Sequence, residues 1–345
     1  MKKIDQYNTI ITVENLLRAW EEFLRGKKKR DDVAVFQNRL MDNIFNIHRN
    51  MKEKTYIHGG YVAFKINDPK PRDIHKATVR DRLVHHLLYR ALYEYFDSKF
   101  IYDSYSCRIG KGTHRAINRF RDFGRIVSKN NTHTCWVLKG DIKKFFASID
   151  HTVLKNILLK HIQDKDLLQL LGHIISSFST EGKNGVGLPL GNLTSQILVN
   201  IYMNEFDHFV KRMLKAPCYI RYADDFTLLH QDKKYLENLI PQMSEFLGTH
   251  LKLALHPDKL FIKTLASGVD FLGWVHFPDH RVLRTTTKKR MFKNIKIKEG
   301  KTETVQSYLG LVSHGNGWKL RQKIIGKTSK ADGLWKKSNF HAILM

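Results

Sequence analysis

Three aspartates lie beside apolar, strand-like segments, where their carboxylates are well placed to hold a metal ion. Asp141 ends a short apolar run, and Asp224 and Asp225 follow Tyr222 between two strand-like segments. The second pattern predicts a hairpin whose tip presents both carboxylates, with Asp141 on a neighbouring strand. Two Mg²⁺ ions held about 3.5–4 Å apart by such carboxylates can stabilise an in-line displacement at phosphorus. An Asp-Asp pair is also common in turns that bind nothing, so order and spacing must decide between these interpretations.

The expected metal site has two primary ligands, Asp141 and Asp224. The backbone carbonyl of Ile142 is a third candidate, and Asp225 either ligates or only supports the others. The expected cofactor is a pair of Mg²⁺ ions, for which Mn²⁺ can substitute.

The charge balance predicts a polyanionic partner. The 345 residues include 59 Lys and Arg but only 33 Asp and Glu, which gives a net charge of +26. So much like charge repels itself in a compact fold, and it attracts nucleic acid over long distances. A solvated basic surface is the plainer interpretation, but the excess is too large for that alone.

Several elements must position the aspartates. Apolar residues at helical spacing predict helices, and β-branched or aromatic runs predict strands. The last 65 residues are strongly basic and less regular. The predicted helices cover 1–55, 80–96, 113–120, 151–178, 193–214 and 233–247, and the predicted strands cover 56–66, 135–138 and the two flanks of 223–225.

Other patterns exclude several classes of protein. No run approaches the ~18 apolar residues that a membrane span needs, and the N-terminus has no apolar segment typical of a signal peptide. Cys107, Cys135 and Cys218 are too far apart for a metal-ligand motif, and their odd number argues against a disulfide framework. We therefore expect a cytoplasmic protein without a membrane partner.

The order of motifs resembles that of reverse transcriptases. Over about residues 56–320, the segments similar to the family's motifs follow one another in the family's order. They are Lys65, Arg72 and 81–84 (DRLV), then 105–112 (YSCRIGKG), Asp141 with Phe146, 187–196 (GLPLGNLTSQ), 222–225 (YADD), Lys259 and 271–274 (FLGW).

The resemblance implies roles for individual residues. Lys65 and Arg72 would clamp the triphosphate, and Phe146 would lie under the incoming sugar and exclude a 2′-hydroxyl. Leu190 and Gly191 would lie against the nucleotide. Lys259 would protonate pyrophosphate. The expected contacts with template and primer come from Arg108, Lys111, Gln196, Phe271, Leu272 and Gly273.

The implied fold is α+β, a right-hand polymerase with an antiparallel palm sheet backed by helices. The expected partners are an RNA template, a DNA or RNA primer and deoxynucleoside triphosphates. The expected organisation is a helical extension at 1–55, fingers at 56–135, a palm at 136–278 with part of the fingers inserted around 155–190, and a small helical thumb at 279–345.

The motif around Leu190 departs from most reverse transcriptases, which carry Gln-Gly and then Ser-Pro. Leu190-Gly191 followed by Ser195-Gln196 resembles the enzymes of diversity-generating retroelements, which misincorporate opposite template adenine and work with a small basic accessory protein. Leucine has no hydrogen-bonding group with which to test the base pair. Error-prone copying of RNA for targeted protein diversification is therefore expected.

Other functions stay open at this point. Retron, group II-like and phage-defence reverse transcriptases share the motifs, although the chain leaves no room after 320 for a maturase or endonuclease domain. An RNA-directed RNA polymerase shares the aspartates, but Phe146 argues against it. A catalytically silent nucleic-acid-binding protein would not need Asp141, Asp224 and Arg72 together.

Overall fold

The computed structural model describes residues 4, 6–67 and 71–328. The chain forms two compact units, and each unit is built from separate segments. The first unit comprises Met1–Gly112, Lys139–Thr227 and Glu237–Leu260, and the second comprises Thr113–Leu138, Leu228–Leu236 and Phe261–Met345.

About half of the described residues lie in α-helices. They are α1 (Tyr7–Ile10), α2 (Val13–Leu24), α3 (Asp31–Gln37), α4 (Leu40–Lys52), α5 (Val79–Phe96), α6 (Thr113–Val127), α7 (His151–Leu159), α8 (Lys165–Ser176), α9 (Leu193–His208), α10 (Lys233–Leu251), α11 (Thr285–Ile297), α12 (Thr302–Val312) and α13 (Trp318–Thr328). A π-helical turn, Phe209–Met213, extends α9.

The strands form three sheets. A hairpin pairs β1 (Tyr61–Ile66) with β2 (Arg72–Ala77), antiparallel, with Ile66 opposite Arg72. The central sheet has the order β4-β5-β3-β6. A third, antiparallel sheet has the order β7-β8-β9. The remaining strand bounds are β3 (Trp136–Asp141), β4 (Tyr219–Tyr222), β5 (Asp225–His230), β6 (Phe261–Thr264), β7 (Val269–Phe271), β8 (Trp274–His276) and β9 (Arg281–Leu283).

Side-chain caps explain where several helices begin. Thr78 accepts a hydrogen bond from the backbone N–H of Asp81 and so starts α5. Asp150 and Asp164 cap α7 and α8 in the same way. Such a cap satisfies a backbone donor that the first helical turn leaves free, and its loss typically costs about 1 kcal/mol.

The core of the first unit lies around α9, most of whose residues are buried. Helix α5 packs on α9 and turns its leucines inward. In the second unit, Phe120 stacks on Phe271 with the ring centroids 5.3 Å apart. Trp274 is also buried, and it lies opposite Phe271 on the next strand of the hairpin.

Three sequence predictions need correction. The expected helix over 151–178 is two helices, because Asp164 caps a new helix after α7 has ended. The expected strand over 56–66 begins only at Tyr61, after Gly59 and Gly60. The expected irregular tail contains three helices, α11 to α13; its positions from 329 onward lie outside the described residues.

The α+β class predicted from the sequence is confirmed, with antiparallel sheets and helices in the same chain. The predicted boundaries between fingers, palm and thumb stay a prediction. Over the described residues, no helix combines the length and apolarity that crossing a membrane would require.

Candidate active site

Two aspartates from adjacent strands of the central sheet meet in the first unit. Asp141 ends β3, and Asp224 occupies the two-residue turn between β4 and β5. The backbone N–H of Ile142 donates to the carbonyl oxygen of Asp224 at 3.1 Å, which fastens the end of one strand to the turn. Asp141 is 8% exposed and Asp224 is half-buried. The hairpin tip expected from the sequence is therefore present.

The electrostatics of this pair favour a bound cation. Burial and, after it, the neighbouring Asp141 carboxylate raise the pKa of Asp224 to about 6, although Lys259 opposes the rise. Lys259 Nζ lies 2.7 Å from Asp141 Oδ1, on a side chain that is 42% exposed. The carboxylates of Asp141 and Asp224 share a partly buried site with one ammonium group, that of Lys259, which solvent screens. This set of groups fits a divalent metal ion.

Asp225 has a different neighbour. Its Oδ1 lies 3.2 Å from Nζ of Lys139, which is itself nearly buried on β3. Of the two roles that the sequence left open for Asp225, this ion pair favours support. Across the described parts of the chain, no group of three or more His, Cys, Asp or Glu side chains is arranged to hold a metal ion. The geometry thus offers two carboxylates, with the carbonyl of Ile142 still a predicted ligand.

Beneath the turn lies a buried ion pair that the motif analysis missed. Arg221 on β4 makes two parallel hydrogen bonds to Asp207 on α9, each 2.7 Å long, and both side chains are fully buried. A third bond from Arg221 Nη1 reaches the carbonyl oxygen of Ala223 at 3.0 Å. The available signal was Arg221, a single charge inside an otherwise uncharged strand-like segment.

The predicted sugar-facing residue, Phe146, follows Asp141 by five positions. Phe145 and Phe146 begin a short 3₁₀ turn after Asp141, and their rings meet edge to face. Phe145 is buried and Phe146 is half-buried. The backbone N–H of Leu188 donates to the carbonyl oxygen of Phe146 at 2.8 Å. The ring of Phe145 thus fills the core, whereas that of Phe146 keeps part of its surface exposed.

Lys65 and Arg72 lie at the far end of the β1–β2 hairpin, and both are exposed. The hairpin is fastened to the loop before α9 by two hydrogen bonds. The N–H of His75 donates to the Leu190 carbonyl oxygen at 2.9 Å, and Asn192 Nδ2 donates to the His75 carbonyl oxygen at 2.8 Å. The structure thus connects the predicted triphosphate clamp to Leu190.

Gly191 adopts a φ of +111°, and a Cβ added there would lie 2.8 Å from Cγ2 of Ile74. The requirement for glycine therefore comes from the backbone and from close contact with the β2 strand. Gln196 lies in the first turn of α9 and is half-buried.

The two predicted template contacts near residue 110 are engaged within the protein. Arg108 bonds to the Asp97 carboxylate at 2.7 Å and to the carbonyl oxygens of Ile101 and Ser104. Lys111 donates to the carbonyl oxygen of Tyr102. These bonds fasten the loop onto α5 and its C-terminal extension. Arg108 thus fastens this loop, and its contact with the template stays a prediction.

The predicted primer-contacting residues belong to the second unit. The side chain of Phe271 is fully buried and packs in the core, and the role of its hairpin at the primer stays a prediction. Leu272 and Gly273 form the two-residue turn of the β7–β8 hairpin and are half-buried.

Comparisons with known proteins agree with this geometry. A family model described as reverse transcriptase (RNA-dependent DNA polymerase) matches residues 65–276. Protein YkfC of Escherichia coli K12 is 27% identical over 257 residues, which cover 64% of this chain and 65% of YkfC. The group II intron-encoded protein LtrA of Lactococcus lactis is 25% identical over 323 residues, which cover 73% of this chain and 52% of LtrA. The chain thus spans less than two thirds of the length of either relative.

Solved structures with a similar fold include two telomerases. Apo telomerase from Candida tropicalis gives a TM-score of 0.54 at 13% identity, covering 84% of this chain and 61% of the telomerase. Telomerase from Candida albicans in complex with a fragment of telomeric RNA gives a TM-score of 0.50 at 13% identity, covering 72% and 51%. At such low identity the likeness concerns the fold.

Proposed function

Because this chain belongs to the reverse transcriptase family, we propose that it is an RNA-directed DNA polymerase that extends a primer with deoxynucleoside triphosphates. The observation that carries the proposal is the meeting of Asp141 and Asp224, where the backbone N–H of Ile142 donates to the carbonyl oxygen of Asp224. The net charge of +26 suits an RNA template and a primer as partners.

Asp141 and Asp224 would hold the divalent cations, Mg²⁺ or Mn²⁺, with help from the Ile142 carbonyl. When bound, two such ions stabilise charge on the attacking 3′ oxygen and on the leaving pyrophosphate. Asp225, paired with Lys139, would keep the turn in place. Lys259 lies beside Asp141 and would donate a proton to pyrophosphate from that position.

Phe146 and the hairpin would select and hold the nucleotide. A ring under the sugar leaves no room for a 2′-hydroxyl, which favours deoxynucleotides and hence a DNA product. Lys65 and Arg72 would meet the triphosphate with fixed positive charge. Their exposed position on the β1–β2 hairpin is consistent with such a role.

Primer extension tests the polymerase. The native chain, a mixed-sequence RNA template, a primer, Mg²⁺ and all four deoxynucleotides should give cDNA, and Asp224→Asn should give none. Asp42→Asn, which removes the same charge from an exposed site on α4, should match the native chain. Equal synthesis by the Asp224 variant would refute the assignment of the site.

The subfamily proposal rests on Leu190. The backbone of Leu190 is held in place by the β2 strand. Because the leucine side chain cannot hydrogen-bond to the nascent base pair, discrimination against mismatched nucleotides should weaken. The proposed role is error-prone copying at template adenines for targeted protein diversification, with a small basic accessory protein as a partner. Sequenced products of the native chain should show errors at adenines, and Leu190→Gln should reduce them. Evenly rare errors in the native products would end this proposal.

A group II-like function is the second candidate, because LtrA is a group II intron-encoded protein. The two candidates predict different genes nearby. A template repeat and a variable repeat beside the gene would indicate diversification, whereas an intron around it would indicate the second function. If the native chain makes no cDNA alone, the assay should be repeated with the neighbouring RNA and accessory protein.

A further inference from the structure

The buried ion pair beneath the Asp224 turn has no role in the reaction as described so far. Neither Arg221 nor Asp207 has any exposed surface. Desolvation makes such pairs expensive, and replacing one by apolar residues is often neutral or stabilising. Stability alone is therefore a weak explanation for a charged pair in the core of this unit.

The partners of the guanidinium show what the pair connects. Asp207 uses both oxygens on Arg221, and it also accepts a hydrogen bond from the hydroxyl of Tyr219 at 2.7 Å. Two other N–H groups of Arg221 donate to Asn200 Oδ1 at 3.3 Å and to Ser104 Oγ at 3.2 Å. Arg221 is thus held on several sides by the unit's most buried helix and by the loop beside β4.

One further bond leads to the site. Arg221 Nη1 donates to the carbonyl oxygen of Ala223, the residue before Asp224. Ala223 has a φ of +57°, in the left-handed region that alanine rarely adopts. A fixed donor on its carbonyl oxygen holds the peptide between Ala223 and Asp224 in one orientation. That peptide sets the direction in which the Asp224 side chain leaves the backbone.

We propose that Arg221, anchored by Asp207, is a positioning residue that fixes the Ala223 carbonyl and so aims the Asp224 carboxylate at the site shared with Asp141. The inference rests on the proposed function, since it takes these aspartates as metal ligands. The charge of Arg221 is balanced by Asp207, so its contribution is the direction of a hydrogen bond. Lysine, a point charge without the planar fork, cannot replace it.

The experiment separates positioning from stability. Arg221→Met combined with Asp207→Leu removes both charges together and leaves no uncompensated buried charge, so it should lose less melting temperature than either single substitution. Its binding of Mn²⁺ alone, measured by electron paramagnetic resonance, should weaken about tenfold or more, as for other residues that orient metal ligands. kcat should fall while KM for the primer–template stays unchanged.

Tyr219→Phe is the matched control, because it removes a hydrogen bond to the same Asp207 oxygen and leaves the Ala223 contact in place. It should lower the melting temperature without changing Mn²⁺ affinity.

Arg221→Lys should weaken Mn²⁺ binding as the double variant does, and it decides the question if the double variant fails to fold. A folded Arg221 variant with native Mn²⁺ affinity would overturn the proposal. Because Mn²⁺ binding is read without turnover, a native chain that binds the ion but makes no cDNA would refute only the polymerase.

Discussion

The β4–β5 and β7–β8 hairpins both close through two residues, but different interactions hold them. At β7–β8, Leu272 and Gly273 have φ values of 50° and 87°, as type I′ turns require. The flanking Phe271 and Trp274 are buried apolar residues. At β4–β5, the turn begins with Ala223 and lies over the buried pair of Arg221 and Asp207.

The comparison distinguishes two ways of fixing a turn. Turn residues and an apolar core define the β7–β8 hairpin locally, so small changes there should cost stability. The Asp224 turn depends on a charged residue from a distant helix, so changes there should cost function first. The predictions that follow test this division, beginning with the largest effect.

Asp141→Asn should reduce the rate of primer extension far more than Asp225→Asn. A metal ligand supplies several kcal/mol of transition-state stabilisation, which corresponds to at least about a thousandfold in rate. Asp225 acts through its ion pair with Lys139, and we expect about ten- to a hundredfold for its loss. Single-turnover extension measures both. Equal losses would show that Asp225 also ligates the metal.

The metal dependence should change with pH. A carboxyl must be ionised to bind a cation, and the pKa of Asp224 is raised to about 6 by burial and by Asp141. Below pH 6 the Mg²⁺ concentration for half-maximal rate should rise, approaching about tenfold for each pH unit. Extension at several Mg²⁺ concentrations between pH 5 and 8 checks this. A constant half-saturating concentration would contradict the cause given for the shift.

The same raised pKa has a consequence for stability. The folded state binds a proton at Asp224 more tightly than the unfolded state does, so ionisation above pH 6 lowers the free energy of unfolding. That loss disappears as the pH falls towards 4. In metal-free buffer, Asp224→Asn should therefore raise the melting temperature at pH 8 and leave it nearly unchanged at pH 4. Asp42→Asn should change neither value.

Alanine substitutions at two glycines separate the cost of backbone strain from the cost of a steric clash. Gly273→Ala meets open space, with Thr287 Oγ1 3.9 Å away, so it should cost only the left-handed backbone, about 1–2 kcal/mol. Gly191→Ala has the same strain and also a 2.8 Å clash with Ile74. It should cost more, and it should also slow extension, because the clash separates the loop from β2. Chemical denaturation and primer extension distinguish the two.

Ala223→Gly should have the smallest effect. Glycine accepts the positive φ without strain but gains freedom in the unfolded chain, so stability should change by less than about 1 kcal/mol. Since Arg221 fixes the carbonyl at this position, activity should stay within a few-fold of native. A large loss of activity would show that the alanine side chain, rather than the buried pair, orients the turn.

Local signals in the sequence predicted much of this arrangement. The helix expected over 80–96 is Val79–Phe96, because Thr78 caps it and leucines recur on one face. The hairpin that carries Asp224 was predicted from two apolar flanks and a tight turn. Both features depend on residues within a few positions of one another, which is what periodicity and turn chemistry report.

Long-range partners could not be predicted in this way. Asp207 lies fourteen residues before Arg221, and nothing in either segment names the other as its partner. The ion pair between Arg108 and Asp97 likewise could not be read from the motif that contains Arg108. A motif gives the residue type at a position but not whether the side chain points into the protein or away from it.

The hydrogen bonds between the β2 strand and the loop at Leu190 restrain the β1–β2 hairpin. His75 N–H lies in one of these bonds, so it can exchange with deuterium only when strand and loop separate. Its exchange rate would therefore report how often the β1–β2 hairpin separates from this loop. It also follows that a load on the hairpin tip, where Lys65 and Arg72 lie, is transmitted through the backbone to Leu190, the residue on which copying accuracy is proposed to depend.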